Sequence, residues 1–124
     1  MLLEISVSGG PSSAEAQAVA QRIATSPLVK TAAFGRDPNW GRVLAAAGSA
    51  PWNGGFANVD LDRLTVSFDG TEVFVHGEPT GAQPELVRAA VAIDLDLGLG
   101  AGSASYLASD LTYDYVRLNA EYTT

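Results

Sequence analysis

Apolar residues alternate with polar ones in three separated places, and that constrains the fold of this chain more than any other feature. Leu3, Ile5 and Val7 alternate with Glu4, Ser6 and Ser8. Leu64, Val66 and Phe68 alternate ahead of Asp69-Gly70, with Val73 and Val75 following. Val91, Ile93, Leu95 and Leu97 alternate with Asp94 and Asp96. A period of two marks a strand with one buried face. Asp-Gly between two such runs marks a β-hairpin, because its residues accept the positive φ of the tight turn. A sheet carrying at least one hairpin is therefore required.

Helical periodicity fills part of the space between these strands. Gly9-Gly10-Pro11 breaks the first strand, and Ser12 with Glu15 has the spacing of a capping box. Ala16, Val19, Ala20 and Ile23 follow at helical intervals, and the helix should stop before Pro27. Leu28 to Phe34 reads as a short strand closed by Gly35. Asp37 is placed as an N-cap with Pro38 in the first turn, for a helix through Arg42 to Ala47 that ends at Gly48. Ser49 to Asn58 and Gly77 to Pro84 read as loops, and Glu85 to Ala90 as a brief helix. Gly98 to Gly102 should turn the chain into a strand at about Ser103 to Ala108. Asp110 can cap a last helix whose stripe is Leu111, Tyr115, Leu118 and Tyr122. Strands and helices are intermixed, which predicts an α+β fold with a mixed sheet and packed helices, as one domain over residues 1–124.

Composition narrows the function. Seven Lys and Arg against fourteen Asp and Glu give a net charge of −7, which argues against nucleic acid or an anionic membrane as partner. Cysteine is absent, which excludes disulfides and thiolate metal sites. Met1-Leu-Leu-Glu4 lacks the basic start and apolar run of a signal peptide, and no stretch approaches the length of a membrane helix. The expected location is the cytoplasm.

The chemistry-bearing residues are few. His76 stands alone before Gly77, where a solvated histidine at the rim of a hairpin is expected. Asp94 and Asp96 share a strand face, more in keeping with a solvated sheet surface than with a cation site. Gly98-Leu-Gly-Ala-Gly-Ser103 has glycines enough for a phosphate loop, but strand rather than helix follows, so a turn is expected. The segment Lys30 to Arg42 supports two readings. One is a tightly specified crossover, with Gly35 taking an unusual backbone angle, Asp37-Pro38 starting a helix and Trp40 anchoring it. The other is an anion site, with helix-start N–H groups near Lys30, Arg36 and Arg42. Asn119 is a neutral amide able to donate to a carboxylate and accept from an ammonium, which suits an amino acid ligand.

Several motifs, in order and at matching separations, resemble the ornithine acetyltransferase family, also called bifunctional glutamate N-acetyltransferases. They are Ser26-Pro-Leu-Val-Lys-Thr-Ala32, Phe34-Gly35, Asp37-Pro-Asn-Trp-Gly-Arg-Val-Leu-Ala-Ala46 and Asp110-Leu-Thr-Tyr-Asp-Tyr-Val116. The stretch from Ser49 to Ala92 matches by position more than by identity. The resemblance implies the fold of that family's C-terminal domain, from the β chain of a self-cleaving precursor. It implies a parent enzyme whose new N-terminal threonine takes the acetyl group of N-acetylornithine and passes it to glutamate, in arginine biosynthesis. The free α-amine beside the threonine hydroxyl serves as base, and the acyl-enzyme divides one hard transfer into two. No cofactor or metal is implied.

By the same resemblance Asn119 and Thr124 correspond to substrate-binding residues, and Ser109 stands where many members have cysteine. The family's threonine nucleophile, cleavage site, oxyanion-hole residues and an acidic substrate-binding segment belong upstream of Leu2. This chain is therefore expected to supply substrate contacts and assembly surface but no catalytic residue. The missing upstream portion is its expected partner, in a homo- or hetero-oligomer, across an apolar surface that Trp52 and the crowded Tyr106, Tyr113, Tyr115 and Tyr122 help to suggest. The alternative is a stand-alone binding domain that kept the fold without the chemistry.

Overall fold

The computed structural model describes residues 1–109, and eight strands and three helices occur among them. The proposed helix after Asp110, with Asn119 and Thr124, lies outside the described residues. Strand β1 (Leu2–Gly10) buries Leu3, Ile5 and Val7 and leaves Ser6 and Ser8 exposed. Helix α1 (Ser13–Thr25) starts where the Ser12 hydroxyl accepts the Glu15 N–H at 3.1 Å. Its Ala16, Val19, Ala20 and Ile23 are completely buried and pack across the sheet.

Residues 27–34 correct the expectation of a strand. They form helix α2 (Pro27–Phe34), with Pro27 in the first turn and the Ser26 hydroxyl accepting the Val29 N–H at 3.3 Å. Ser-Pro thus ends one helix and opens the next, since a first-turn proline gives up an N–H that had no partner. Val29, Lys30, Ala32 and Ala33 are buried, a helical spacing that a short apolar run conceals. The next start is also displaced. Helix α3 (Trp40–Gly48) is capped by Asn39, whose side chain accepts the Arg42 N–H at 3.1 Å, so Asp37 lies outside the helix.

Residues 49–58 carry a two-stranded ribbon, β2 (Pro51–Trp52) with β3 (Gly55–Phe56), around an Asn53-Gly54 turn of positive φ. Trp52 is half-buried against the core rather than standing out as apolar surface, and Tyr106 is buried. The hairpin at Asp69-Gly70 is present as β4 (Thr65–Phe68) and β5 (Thr71–Val75), both turn residues having positive φ. His76-Gly77 makes a second such turn into β6 (Glu78–Pro79). Residues 85–89 are irregular and lead into β7 (Ala90–Asp96), which replaces the expected brief helix. Leu86 alone of that stretch is buried, and one anchor is too little to stabilise a single helical turn.

With β8 (Gly102–Ser109) the strands form a six-stranded sheet in the order β6-β5-β4-β7-β1-β8. Among the described residues only β1 and β7 run parallel, so the sheet is mixed and the fold α+β, as the sequence predicts. Helix α1 lies over β1 and β8, with α2 and α3 against it. The Trp40 ring meets Phe74 of β5 with centroids 5.1 Å apart, tying α3 to the far side of the sheet. The opposite sheet face is polar at its centre: Asp94 lies beside Ser6 and Ser67, and Asp96 beside Ser8 and Thr65.

The glycines at 98–102 serve the crossover from β7 to β8, which passes over the end of β1. Leu97 and Leu99 donate to the carbonyls of Ser8 and Gly9 at 2.9 and 2.7 Å. A Cβ on Gly102 would lie 2.2 Å from the Ser12 carbonyl carbon, and one on Gly98 2.6 Å from the Arg63 oxygen. Close backbone approach, not phosphate binding, accounts for the glycine run.

Candidate functional site

Residues 30–42 run from α2 through the link at 35–39 into α3, and their side chains bear on the two readings of this segment. Gly35 has an ordinary φ of −83°, and the left-handed conformation falls on Arg36 at +60° instead. A Cβ on Gly35 would sit 3.2 Å from the Thr31 carbonyl, so closeness to α2 is what favours glycine there. The Arg36 guanidinium donates to the carbonyls of Leu86 and, at 3.1 Å, Arg88. It thereby ties the irregular stretch before β7 to the α2–α3 link. Arg42 donates to the Leu28 carbonyl at 3.0 Å, holding the start of α2 against α3. Lys30 is 9% exposed on α2, and burial lowers the pKa of its ammonium. The three cations therefore do not converge: Arg36 and Arg42 brace different segments, and Lys30 is enclosed in the fold. The crossover reading holds for Arg36, and Trp40 is the anchor it calls for.

Two clefts flank the start of α3. One, of about 480 Å³, lies between Asp37, Pro38 and Trp40 on one side and Pro79, Ala82 and Gln83 on the other. The second, of about 390 Å³, is lined by Arg22, Ser26, Leu28, Arg42 and Ser49 among others. There Arg22 Nε donates to the Ser49 hydroxyl at 3.0 Å, and that hydroxyl donates to the Ala46 carbonyl at 2.9 Å. Among the described residues no carboxylate lines this second cleft, and its two guanidinium groups give that lining a positive character on a chain of net charge −7. Such a surface suits a carboxylate from a ligand or a neighbouring segment. Arg22 and Arg42 line this cleft together, whereas Lys30 and Arg36 are not among its described lining residues.

The remaining expectations divide. His76 is exposed in its turn with φ +46°, and its N–H donates to the Leu64 carbonyl at 2.8 Å, as a rim histidine should. Asp94 and Asp96 are exposed, and Asp96 accepts the Gly98 N–H at 2.9 Å. Among the described residues no group of three or more His, Cys, Asp or Glu could hold a metal ion. No helix among them is long and apolar enough to cross a membrane. Asn119 and Thr124 fall outside the described residues.

Two acids have roles beyond the local ones assigned to them from sequence. Glu15 does not close its capping box. It is 3% exposed, and its carboxylate accepts the Asn58 N–H at 2.7 Å and the Asn58 side-chain amide at 3.1 Å. Asp69 turns the hairpin and also reaches β7, accepting from the Ala92 N–H at 2.8 Å and from Arg88 at 2.9 Å. Burial raises its pKa, but those two donors and the Arg88 charge outweigh it and hold the carboxyl below its ordinary value. Neither pairing has a sequence signal, since the partners lie 43 and 19–23 residues away.

Comparison with known proteins places this architecture. The sequence model of the ArgJ family matches residues 1–124. The glutamate N-acetyltransferase of Methanosarcina mazei is 47% identical over 133 residues, covering 99% of this chain and 32% of that protein. The arginine biosynthesis bifunctional protein ArgJ of Syntrophotalea carbinolica is 43% identical over 129 residues, again 99% and 32%. The crystal structure of the arginine biosynthesis bifunctional protein ArgJ from Bacillus halodurans superimposes with a TM-score of 0.79 at 35% identity, over 98% of this chain and 57% of that one. The chain spans about a third of the length of the curated relatives it matches.

Proposed function

The chain belongs to the ArgJ family, and on that premise we propose that it is the C-terminal substrate-contacting and assembly domain of an acetyltransferase of arginine biosynthesis. The whole enzyme moves acetyl from N-acetylornithine to glutamate. One observation carries the reading: the family match runs through all 124 residues, yet those residues amount to about a third of each relative. A piece of that size contributes part of a site.

Its own residues fit a supporting role. Trp40 and Arg42, both in the densest motifs, and Arg36, which lies between two of them, brace α2, α3 and the sheet against one another. They make a rigid base from which the segment bearing Asn119 and Thr124 can meet substrate. Asn119 can hold an amino acid's carboxylate and ammonium through one amide. The nucleophile, a threonine freed by self-cleavage, belongs to the part this chain lacks. Without it and its oxyanion donors the covalent step has no starting point.

The test is acetyl transfer from N-acetylornithine to glutamate, by the chain alone and by the same chain continuous with the rest of its parent. Transfer by the longer protein only is the expected result. Robust turnover by the 124 residues alone overturns the assignment. A longer protein that is folded but inactive favours a binding domain that has lost the chemistry.

A further inference from the structure

The two edges of the six-stranded sheet are built differently. At one, β6 has two residues, and one is Pro79, which has no N–H to offer. A short edge with proline is a common way of stopping further strand pairing. At the other, β8 extends over eight residues, Gly-Ser-Ala-Ser-Tyr-Leu-Ala-Ser, with neither charge nor proline. Nothing in that sequence discourages another strand.

The register fixes which groups the open edge offers. Leu2 N–H donates to the Ala89 carbonyl at 3.2 Å, and the Ser8 carbonyl accepts from Leu97 at 2.9 Å. The even residues of β1 therefore bond toward β7, and Leu3, Ile5 and Val7 bond toward Ala108, Tyr106 and Ala104 of β8. Ser105 and Leu107 alternate with these and direct their N–H and C=O groups away from β1. Neither has a partner on that side among the described residues. Ser105 is exposed and Leu107 half-buried. At Ser105 and Leu107 the edge thus offers backbone donors and acceptors, on a strand whose other side is paired with β1 from Ala104 to Ser109.

We propose that the β8 edge receives a strand from the part of the parent polypeptide that this chain lacks. This deepens the assembly role given above and rests on that reading. About two thirds of the length of each relative lies outside the matched region, enough to supply such a segment. A second copy is a poorer occupant, because each chain brings a net charge of −7. The added segment alternates in character. Residues on the helical side continue the layer that α1 packs over β8, so they are apolar; those opposite the exposed Ser105 are polar.

Hydrogen exchange tests this on the chain alone and on the chain continuous with the rest of its parent. The Tyr106 amide, paired with β1, should be protected in both. The Ser105 and Leu107 amides should exchange about a hundredfold more slowly or better in the longer protein only. Ser105→Pro and Leu107→Lys act on the outer edge and should reverse that protection at the neighbouring amide while sparing Tyr106. Equal exchange of Ser105 and Leu107 in the two proteins overturns the proposal. Protection that rises with concentration in the chain alone assigns the edge to a second copy and also overturns it. Acetyl transfer measured on the same samples separates the two readings: an active longer protein with an unprotected edge removes the strand and leaves the function.

Discussion

Removing the Glu15 carboxylate should loosen the loop before β4 from helix α1, and the size of the effect follows from the structure. Glu15 is 3% exposed, and one of its oxygens accepts both the Asn58 N–H and the Asn58 side-chain amide. A hydrogen bond to a charged group contributes about 1.5–3 kcal/mol when its loss leaves a buried partner unsatisfied. Asn58 itself is exposed, so water can take over its donors once the carboxylate is gone. Alanine also favours the helix slightly more than glutamate does. These corrections leave a net loss of about 2 kcal/mol for Glu15→Ala, a substantial part of the roughly 5–15 kcal/mol typical of a domain. At this chain length that corresponds to a melting temperature lower by about 6–10 °C. Glu15→Gln keeps an acceptor oxygen without the charge and should lose about half as much. Ser12→Ala, which removes the helix cap but leaves the Asn58 contacts, should cost about 1 kcal/mol. Urea unfolding followed by circular dichroism measures all three. A Glu15→Ala protein within about 0.5 kcal/mol of the original would refute the claim that this carboxylate holds the loop, since that is the scatter of neutral surface changes.

Other consequences are as specific. The lowered pKa of Asp69 adds stability that is complete above its unfolded value, near 3.8, and is lost as pH falls through the folded value. Asp69→Asn, which tolerates the φ of +49°, should therefore flatten the decline of stability below about pH 4 in acid titrations. Gly102→Ala should destabilise by about 1–3 kcal/mol or more, because the methyl would overlap Ser12. Gly48→Ala meets nothing within 4 Å and should stabilise by about 0.5–1 kcal/mol, so thermal melts of the pair test whether packing or backbone freedom explains each glycine. In the full-length parent, Asn119→Ala should lower kcat/KM for both amino acid substrates roughly 10- to 150-fold, the loss of one hydrogen bond to a charge, with self-cleavage unchanged. Unaltered kinetics in the processed variant would remove Asn119 from the site.

The sheet was legible in the sequence wherever burial is one-sided. β1, β4 and β7 alternate because one face meets the helices and the other meets water, and Asp69-Gly70 has the backbone freedom its turn requires. Legibility failed where short segments depend on their neighbours. Leu28 to Phe34 has an apolar run that suits either a strand or a helix, and tertiary packing of Val29, Ala32 and Ala33 decides it. Asp37 and Asn39 are both good caps, and Asn39 is used because it reaches the Arg42 N–H. Pairing between remote positions was invisible: no local pattern joins Glu15 to Asn58, Arg36 to Leu86 or Arg22 to Ser49. Part of the candidate site was read correctly as structural at Trp40. Its cationic part stayed open between two readings, because charge along the sequence does not say which carbonyls the guanidinium groups will meet.

The central claim is that this chain shapes and assembles an acetyl-transferring site without carrying its nucleophile. Its most direct test is the location of the acetyl group. The processed full-length parent would be incubated with N-acetylornithine without glutamate, quenched in acid, and each polypeptide analysed by peptide-level mass spectrometry. The account predicts one acetyl group on the N-terminal threonine upstream of the region matching this chain, and none on any residue corresponding to 1–124. An acetyl adduct on a side chain within those residues, discharged when glutamate is added, would contradict it.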